Sequence, residues 1–445
     1  MVSVRDGTQD LDFVTDHFER AKKGKIVSLG FSSYGSLPLY ESDFGWGKPV
    51  WVTSATLAMK NVIILIPSHS RTQVDAYVCL SEESMRNLEC DQEFTLFAMK
   101  SVPWLLLAEN TQNNPNCVRK IFNLSNNKCY NLNLPQTFGA RCWGSPYGWI
   151  AMIDRNYDVI LFNPITKAQI PFPSLKSLDD GGIKSKSDGS YQHWFLGCFA
   201  NRLIVLKVPQ HQHYEFVVLV VHVYYHSLSF ARQGDKSWTP VLVNSKEHHI
   251  VDIVGMDDNI FGLYGDGSIV FWNFKEFNAL ELIKPADYSP CRHEFIVKFY
   301  QGGCNHIYFV RSGSDLLIVL RYKDDYVTNN EDEDEDDIAC KTVDFDVYRF
   351  NSIDKGWEEI KDLGEVALIV GGNTSMCVSV AHSKGLQRNC IYFTDDECCF
   401  WNSSIDPGGH DMGFFDMKNG NIQRFYHGDD MHSSFAPPTL FIPQL

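Results

Sequence analysis

The sequence has no run of 18 or more apolar residues, no Cys-x-x-Cys pair, and fewer basic than acidic residues, 39 against 55. The first absence excludes a membrane-spanning helix, and the longest apolar stretch, Phe216 to Tyr225, has the length of a core strand. A formal charge of −16 argues against nucleic acid or an anionic membrane as partner, because both require a basic surface. The N-terminus MVSVRDGTQDLDF carries charges where a signal peptide needs its apolar centre, so an intracellular protein, cytoplasmic or nuclear, is expected. Thirteen scattered cysteines, an odd number, form neither a disulfide framework nor a zinc spacing, and buried free thiols are the expectation. No metal site is expected. His211/His213 and His248/His249 each lack a third ligand of clear spacing.

What is present is a recurring hairpin. In Phe345–Phe350 apolar and polar residues alternate, and Asn351 to Gly356 supplies a turn before Trp357. Ala367–Val370 is a short apolar run closed by Gly371-Gly372-Asn373, and Cys390–Phe393 followed by Thr394-Asp395-Asp396 repeats that scheme. Related units begin at Ile121, Leu161, Val270, Val347 and Phe414, with a weaker copy at Val223. Each is an apolar strand, a turn rich in Asn, Asp, Lys or Gly, and a returning strand. The expected fold is therefore mainly β, a propeller-like domain of about six blades over 101–445, with a pair of packed sheets as the alternative. Trp143, Trp149, Trp238, Trp357 and Trp401 recur near the hairpins, which predicts core packing. The acidic run Glu331–Asp337, placed between a strand ending near Tyr322 and one starting at Thr342, reads as a solvated loop, with capture of a basic partner as the sharper alternative.

Residues 1–100 differ. A helix is expected over Thr15–Ala21, a strand over Ile26–Leu29, strands at Asn61–Ile66 and Val74–Val78, and a helix from Leu80 to Met85 with Ser81 as its N-cap, giving a small α+β fragment. Asp43-Phe44-Gly45-Trp46-Gly47 within this segment strongly resembles the DFGWG motif of the plant BAHD acyl-CoA-dependent acyltransferases. The resemblance implies a structural role for Asp43, Phe44, Gly45, Trp46 and Gly47 near a CoA channel. It also implies a catalytic histidine in an HxxxD motif upstream, acting as general base. His17, the one histidine preceding Asp43, has Ala21 at the aspartate position. The literal match His248-His249-Ile250-Val251-Asp252 lies outside this region and reads as an exposed loop leading into a strand. No catalytic residue and no cofactor are therefore assigned, acyl-CoA entering only if the chain is an acyltransferase.

Trp143 to Trp149, Leu161 to Lys167 with Ile170 to Pro173, and Asp362–Gly364, Gly371–Ser375 and Asn389–Asp395 resemble the C-terminal, propeller-like domain of a large family of plant F-box proteins. That resemblance implies a module that recruits a protein target to a ubiquitin ligase. The F-box itself has no counterpart ahead of Ser101. The expected function is a non-catalytic, target-binding interaction module, its target unknown and ubiquitin-ligase components its other partners. The alternatives are an acyltransferase and a ubiquitin-ligase substrate adaptor. The join near Lys100 reads either as a gene fusion or as two neighbouring genes read as one.

Overall fold

The computed structural model describes residues 29–35, 37–43, 45, 61–67, 74–81, 84–85, 102–109, 118–178, 200–210, 213–222, 227–241, 250–256, 259–273, 279–283, 306–328, 337–380, 385–396, 409–428, 433 and 436–443. The chain divides into two compact units, Met1–Ala98 and Met99–Leu445.

In the first unit β1 (Gly30–Ser33) pairs in parallel with β2 (Val62–Pro67), which pairs antiparallel with β3 (Val74–Cys79). The first strand starts at Gly30, later than the expected Ile26–Leu29, of which only Leu29 is described. The Ser81 hydroxyl accepts the Ser84 N–H at 3.2 Å, and the Met85 N–H reaches the Ser81 carbonyl at 2.8 Å, as an N-cap requires. The Thr15–Ala21 helix lies outside the described residues.

Among the described residues the second unit contains six sheets. The first blade holds β4 (Trp104–Leu106), β5 (Val118–Asn123) and β6 (Lys128–Asn133). The second holds β7 (Arg141–Gly144), β8 (Ile150–Ile153), β9 (Val159–Phe162) and β10 (Gln169–Phe172). The third is β11 (Ala200–Gln210), β12 (His213–His222), β13 (Ser227–Arg232) and β14 (Thr239–Val241). The fourth is β15 (Ile250–Met256), β16 (Asn259–Tyr264), β17 (Ile269–Asn273) and β18 (Ala279–Ile283). The fifth is β19 (His306–Ser312), β20 (Asp315–Thr328), β21 (Asp337–Asn351) and β22 (Gly356–Glu359). The sixth combines β23 (Val366–Val370), β24 (Met376–Ser379), β25 (Cys390–Phe393), β26 (Gly413–Asp416) and β27 (Asn421–Gln423). The last strand, β28 (Thr439–Phe441), returns to pair with β4, so the C-terminal segment completes the first blade and closes the ring. The strands bounding the acidic run are longer than expected, β20 reaching Thr328 and β21 starting at Asp337, because their backbone pairing continues beyond Tyr322↔Asp344.

Blade packing dictates the burial pattern. Each apolar cluster is shared by two neighbouring blades: Leu161 and Trp143 of the second with Val205 and Val218 of the third, Leu105 and Phe122 of the first with Ile369 and Tyr392 of the sixth. A strand inside a blade is therefore covered on both faces, and Val347 and Tyr348 are both buried although they point opposite ways. The outermost strands are the polar ones, β6 and β27 being largely exposed.

The recurring sequence unit is the outer hairpin of a blade. Four copies share one turn: the Asx side chain of Asn123, Asn163, Asn351 or Asp416 accepts the N–H two residues on. Four residues after it stands a residue with positive φ: Asn127 (54°), Lys167 (63°), Lys355 (51°) and Gly420 (70°). Two tryptophans then join blades. Trp238 Nε1 donates to the Pro173 carbonyl at 2.9 Å, and Trp357 Nε1 to the Gly267 carbonyl at 2.8 Å, each reaching into the preceding blade. Trp143, Trp238 and Trp357 are buried and Trp149 is partly buried, whereas Trp401 lies outside the described residues.

Candidate functional site

The axis of the ring is closed by chain. Between β23 and β24 the segment Gly371–Ser375 crosses toward the opposite blades, so it is more than the tight turn expected from sequence. Gly371 has φ +114°, and a Cβ there would stand 2.5 Å from the Thr394 carbonyl oxygen, which leaves glycine as the residue that fits. The Thr374 N–H donates to the Gly144 carbonyl at 2.9 Å in the second blade. Its hydroxyl accepts the Val205 N–H at 3.3 Å in the third. The Ser375 hydroxyl donates to Asp252 at 3.0 Å in the fourth, and the Thr439 hydroxyl of β28 donates to the Gly372 carbonyl at 2.7 Å.

Arg202 locks this plug. Its Nη2 reaches the carbonyls of Gly371 and Asn373, each at 3.2 Å, and its Nη1 lies 2.9 Å from Asp252 Oδ2. Asp252 also accepts N–H groups from Ile253 at 2.9 Å and Phe309 at 2.8 Å. Burial pushes the Asp252 carboxyl above its ordinary range, while Arg202 and these hydrogen bonds act in the opposite direction. A buried pair whose two carboxylate oxygens both accept hydrogen bonds fits an architectural role.

A second cluster joins the fifth and sixth blades. Arg321, fully buried on β20, donates to Thr342 Oγ1 at 2.7 Å, the Thr394 carbonyl at 2.9 Å, Asp396 Oδ1 at 3.1 Å and Asp411 Oδ2 at 2.8 Å. Lys323 adds charge at 3.9 Å from Asp396 and 3.7 Å from Asp411. Tyr308 donates to Asp396 at 2.8 Å, and Arg202 stacks over the Tyr308 ring at 5.1 Å, which links the cluster to the plug. Burial alone would raise both aspartates, but coulombic interactions outweigh it: those with His306, Arg321, Lys323 and Arg202 hold Asp396 below the usual carboxylate range, and those with Arg321 and Lys323 do so for Asp411. Burial raises the Tyr308 phenol well above its ordinary value, which keeps its proton available to Asp396.

One residue singled out in the sequence belongs to this network. Asp252 is the aspartate of the literal HxxxD match, and it is not in an exposed loop: it lies on β15, fully buried and bound to Arg202, while His248 and His249 lie outside the described residues. Asp43 accepts the Gly45 N–H at 2.7 Å, a local turn bond, and Gly45 has φ +98°. Phe44, Trp46 and Gly47 lie outside the described residues, as do His17, His211 and Glu331–Asp336. Among the described residues no group of three or more His, Cys, Asp or Glu could hold a metal ion, and no helix is long and apolar enough to cross a membrane. The central residues Arg202, Asp252 and Arg321 carried a readable signal: each is a charge set inside an apolar strand, as in ANRLIVLKV, IVDIVGM and LIVLRYK.

Comparison with known proteins agrees with this geometry. The KIB1-4 beta-propeller family matches residues 121–416, and the Transferase family matches residues 6–95. F-box protein KIB3 of Arabidopsis thaliana is 25% identical over 316 residues, covering 67% of this chain and 63% of that protein. F-box/kelch-repeat protein KIB1 of Arabidopsis thaliana is 22% identical over 275 residues, covering 60% of each chain. The chain thus spans less than two thirds of these two relatives. The N-terminal region is similar to epi-neemfruitin B 7-O-acetyltransferase of Melia azedarach, 40% identical over 78 residues, which cover 16% of this chain and 17% of that enzyme. A closed ring of six sheets, with most of its length matched, makes this chain a member of the KIB1-4 beta-propeller family.

Proposed function

We propose that the chain is a non-catalytic, intracellular interaction module whose ring presents loops to a protein target. The observation that carries this reading is the filled axis. Arg202, Asp252, Ser375, Arg321 and Asp411, the polar groups that could serve chemistry, are engaged in joining blades. Recognition then falls to loop side chains, with aromatic and Arg residues contributing most of the energy. The F-box relatives extend the proposal to ubiquitin-ligase components as further partners. Affinity capture from plant tissue with the full chain as bait is expected to recover a reproducible protein target. Capture no richer than with an unrelated acidic bait would overturn the reading.

The transferase-like N-terminal region supports a second reading, acyl transfer from acyl-CoA to a hydroxyl or amine. Incubation of the chain with acyl-CoA donors, alcohols and amines tests it through thiol release. On the main proposal no release occurs. Turnover lost in His248→Ala would establish the second reading in its place.

A further inference from the structure

Four of the seven large apolar side chains exposed among the described residues, Leu29, Phe31, Tyr34 and Leu37, fall within nine residues at β1 of the first unit. They border a larger apolar face. From Val62 to Ile66 β2 is apolar at every position, yet only one of its sides is buried: Ile64 and Ile66 are 7% and 3% exposed, whereas Ile63 and Leu65 are half-buried. The register shows what shares the open side. Phe31 pairs with Ile63, Ile63 with Val78 and Leu65 with Ala76, and residues paired across strands point to the same face. With Leu29, two positions before Phe31, this face is Leu29, Phe31, Ile63, Leu65, Ala76 and Val78, and none of the six is buried. Phe31 is 66% exposed.

A strand apolar on both sides belongs to a sheet covered on both faces. The β1–β2 pair is parallel, so the connection 34–61 must cross over one face. The other face needs a second cover, and the segment ahead of β1, outside the described residues, has the pattern for it. Leu11, Val14, Phe18 and Ala21 recur at intervals of three, four and three, the stripe of an amphipathic helix, and extend the helix expected over Thr15–Ala21. Asp12, Asp16 and Arg20 fall on its opposite side, and Asp10 is an N-cap residue type at its start. Leu29 follows Ala21 by eight positions, which keeps the helix end within about 28 Å of β1. Three strands spaced about 4.8 Å apart make a face about 10 Å wide, the width of one helix.

From the open apolar face and the matching stripe just ahead of it in the chain, we propose that residues 11–21 dock as a helix on the β1–β2–β3 face, with Leu11, Val14, Phe18 and Ala21 against Phe31, Ile63 and Leu65. The transferase-like unit then supplies its own cover, as a helix layer on a sheet layer.

A photocrosslinker in the full chain tests this. Phe18→p-benzoylphenylalanine, irradiated and mapped by peptide mass spectrometry, is expected to join residues 29–33, 62–67 or 74–79 of the same chain. Asp16→p-benzoylphenylalanine, on the far side of the helix, should not. Hydrogen exchange gives a second readout. Amides of residues 11–21 should be protected in the parent, and Phe31→Asp should lower that protection at least about tenfold, as loss of one large apolar contact implies. Phe31 is exposed, so the variant retains the sheet, and continued protection of the central strand 62–67 verifies this. Exchange of 11–21 at the unprotected rate, protection indifferent to Phe31→Asp, or crosslinks from position 18 that run to a second copy or to residues 99–445 would overturn the proposal.

Discussion

Arg202→Met tests the plug. The substitution keeps much of the side-chain volume but removes the charge facing Asp252 and the donors to the Gly371 and Asn373 carbonyls. Asp252 keeps its bonds to Ile253, Phe309 and Ser375 but becomes a buried carboxylate without its partner cation. Breaking a buried pair from one side costs about 3–5 kcal/mol. With an unfolding entropy of about 2.1 cal/mol/K per residue, a unit spanning Met99–Leu445 should melt about 4–7 °C lower. Asp252→Leu alone should be destabilised similarly, since it strands Arg202. The double variant removes both charges and should lose less than the sum of the two, with a coupling of about 2 kcal/mol or more. Thermal melts followed by tryptophan fluorescence and calorimetry measure all three. A melting temperature within about 1 °C of the parent for Arg202→Met, or strict additivity in the double variant, would refute the reasoning.

Trp238→Phe and Trp357→Phe keep most of the packing and remove one interblade hydrogen bond each, so each should destabilise by about 1 kcal/mol, read from the same melts. Gly144→Ala places a Cβ against the Leu440 carbonyl and Phe441 of the closing strand, and should lower the melting temperature well beyond either tryptophan change. Asp396 and Asp411 have folded pKa values below their ordinary ones. Their stabilisation is complete above about pH 4 and is lost as pH falls from there through the folded values. Melts from pH 6 down to about pH 2, through the ordinary carboxylate range and toward the lower folded values, should show a steeper acid loss in the parent than in Arg321→Met, which lacks a cation common to both aspartates.

Local chemistry was readable in the sequence and long-range chemistry was not. The outer hairpins could be found because an Asx residue and a positive-φ residue four positions on act within one turn, as at Asn351 and Lys355. The strands Ala367–Val370 and Cys390–Phe393 follow directly from apolar runs bounded by turn residues, and both are present. Their arrangement was not legible: β23 and β25 lie parallel in one sheet, with β24 on the far side of β23. Nothing local to Gly371-Gly372-Asn373 announces that this glycine pair carries the chain across the ring, because its partners are Gly144, Arg202 and Thr439. Trp143, Trp238 and Trp357 are in the core as expected, but Pro173 and Gly267, the acceptors of Trp238 and Trp357, lie 65 and 90 residues away. Asp252 illustrates the hazard of spelling. The two-residue HxxxD match was read as a loop leading into a strand, and the apolar neighbours Ile250, Ile253 and Val254 were the better guide to the buried, ion-paired position of Asp252.

The most direct test of a ring-dependent binding module is quantitative capture from plant tissue with two baits, the intact chain and a chain ending before Thr439, which lacks the strand that closes the first blade. The account predicts a protein target enriched on the intact bait and lost from the open one. Equal recovery of the same target on both baits would contradict it, by showing that binding does not require the closed ring.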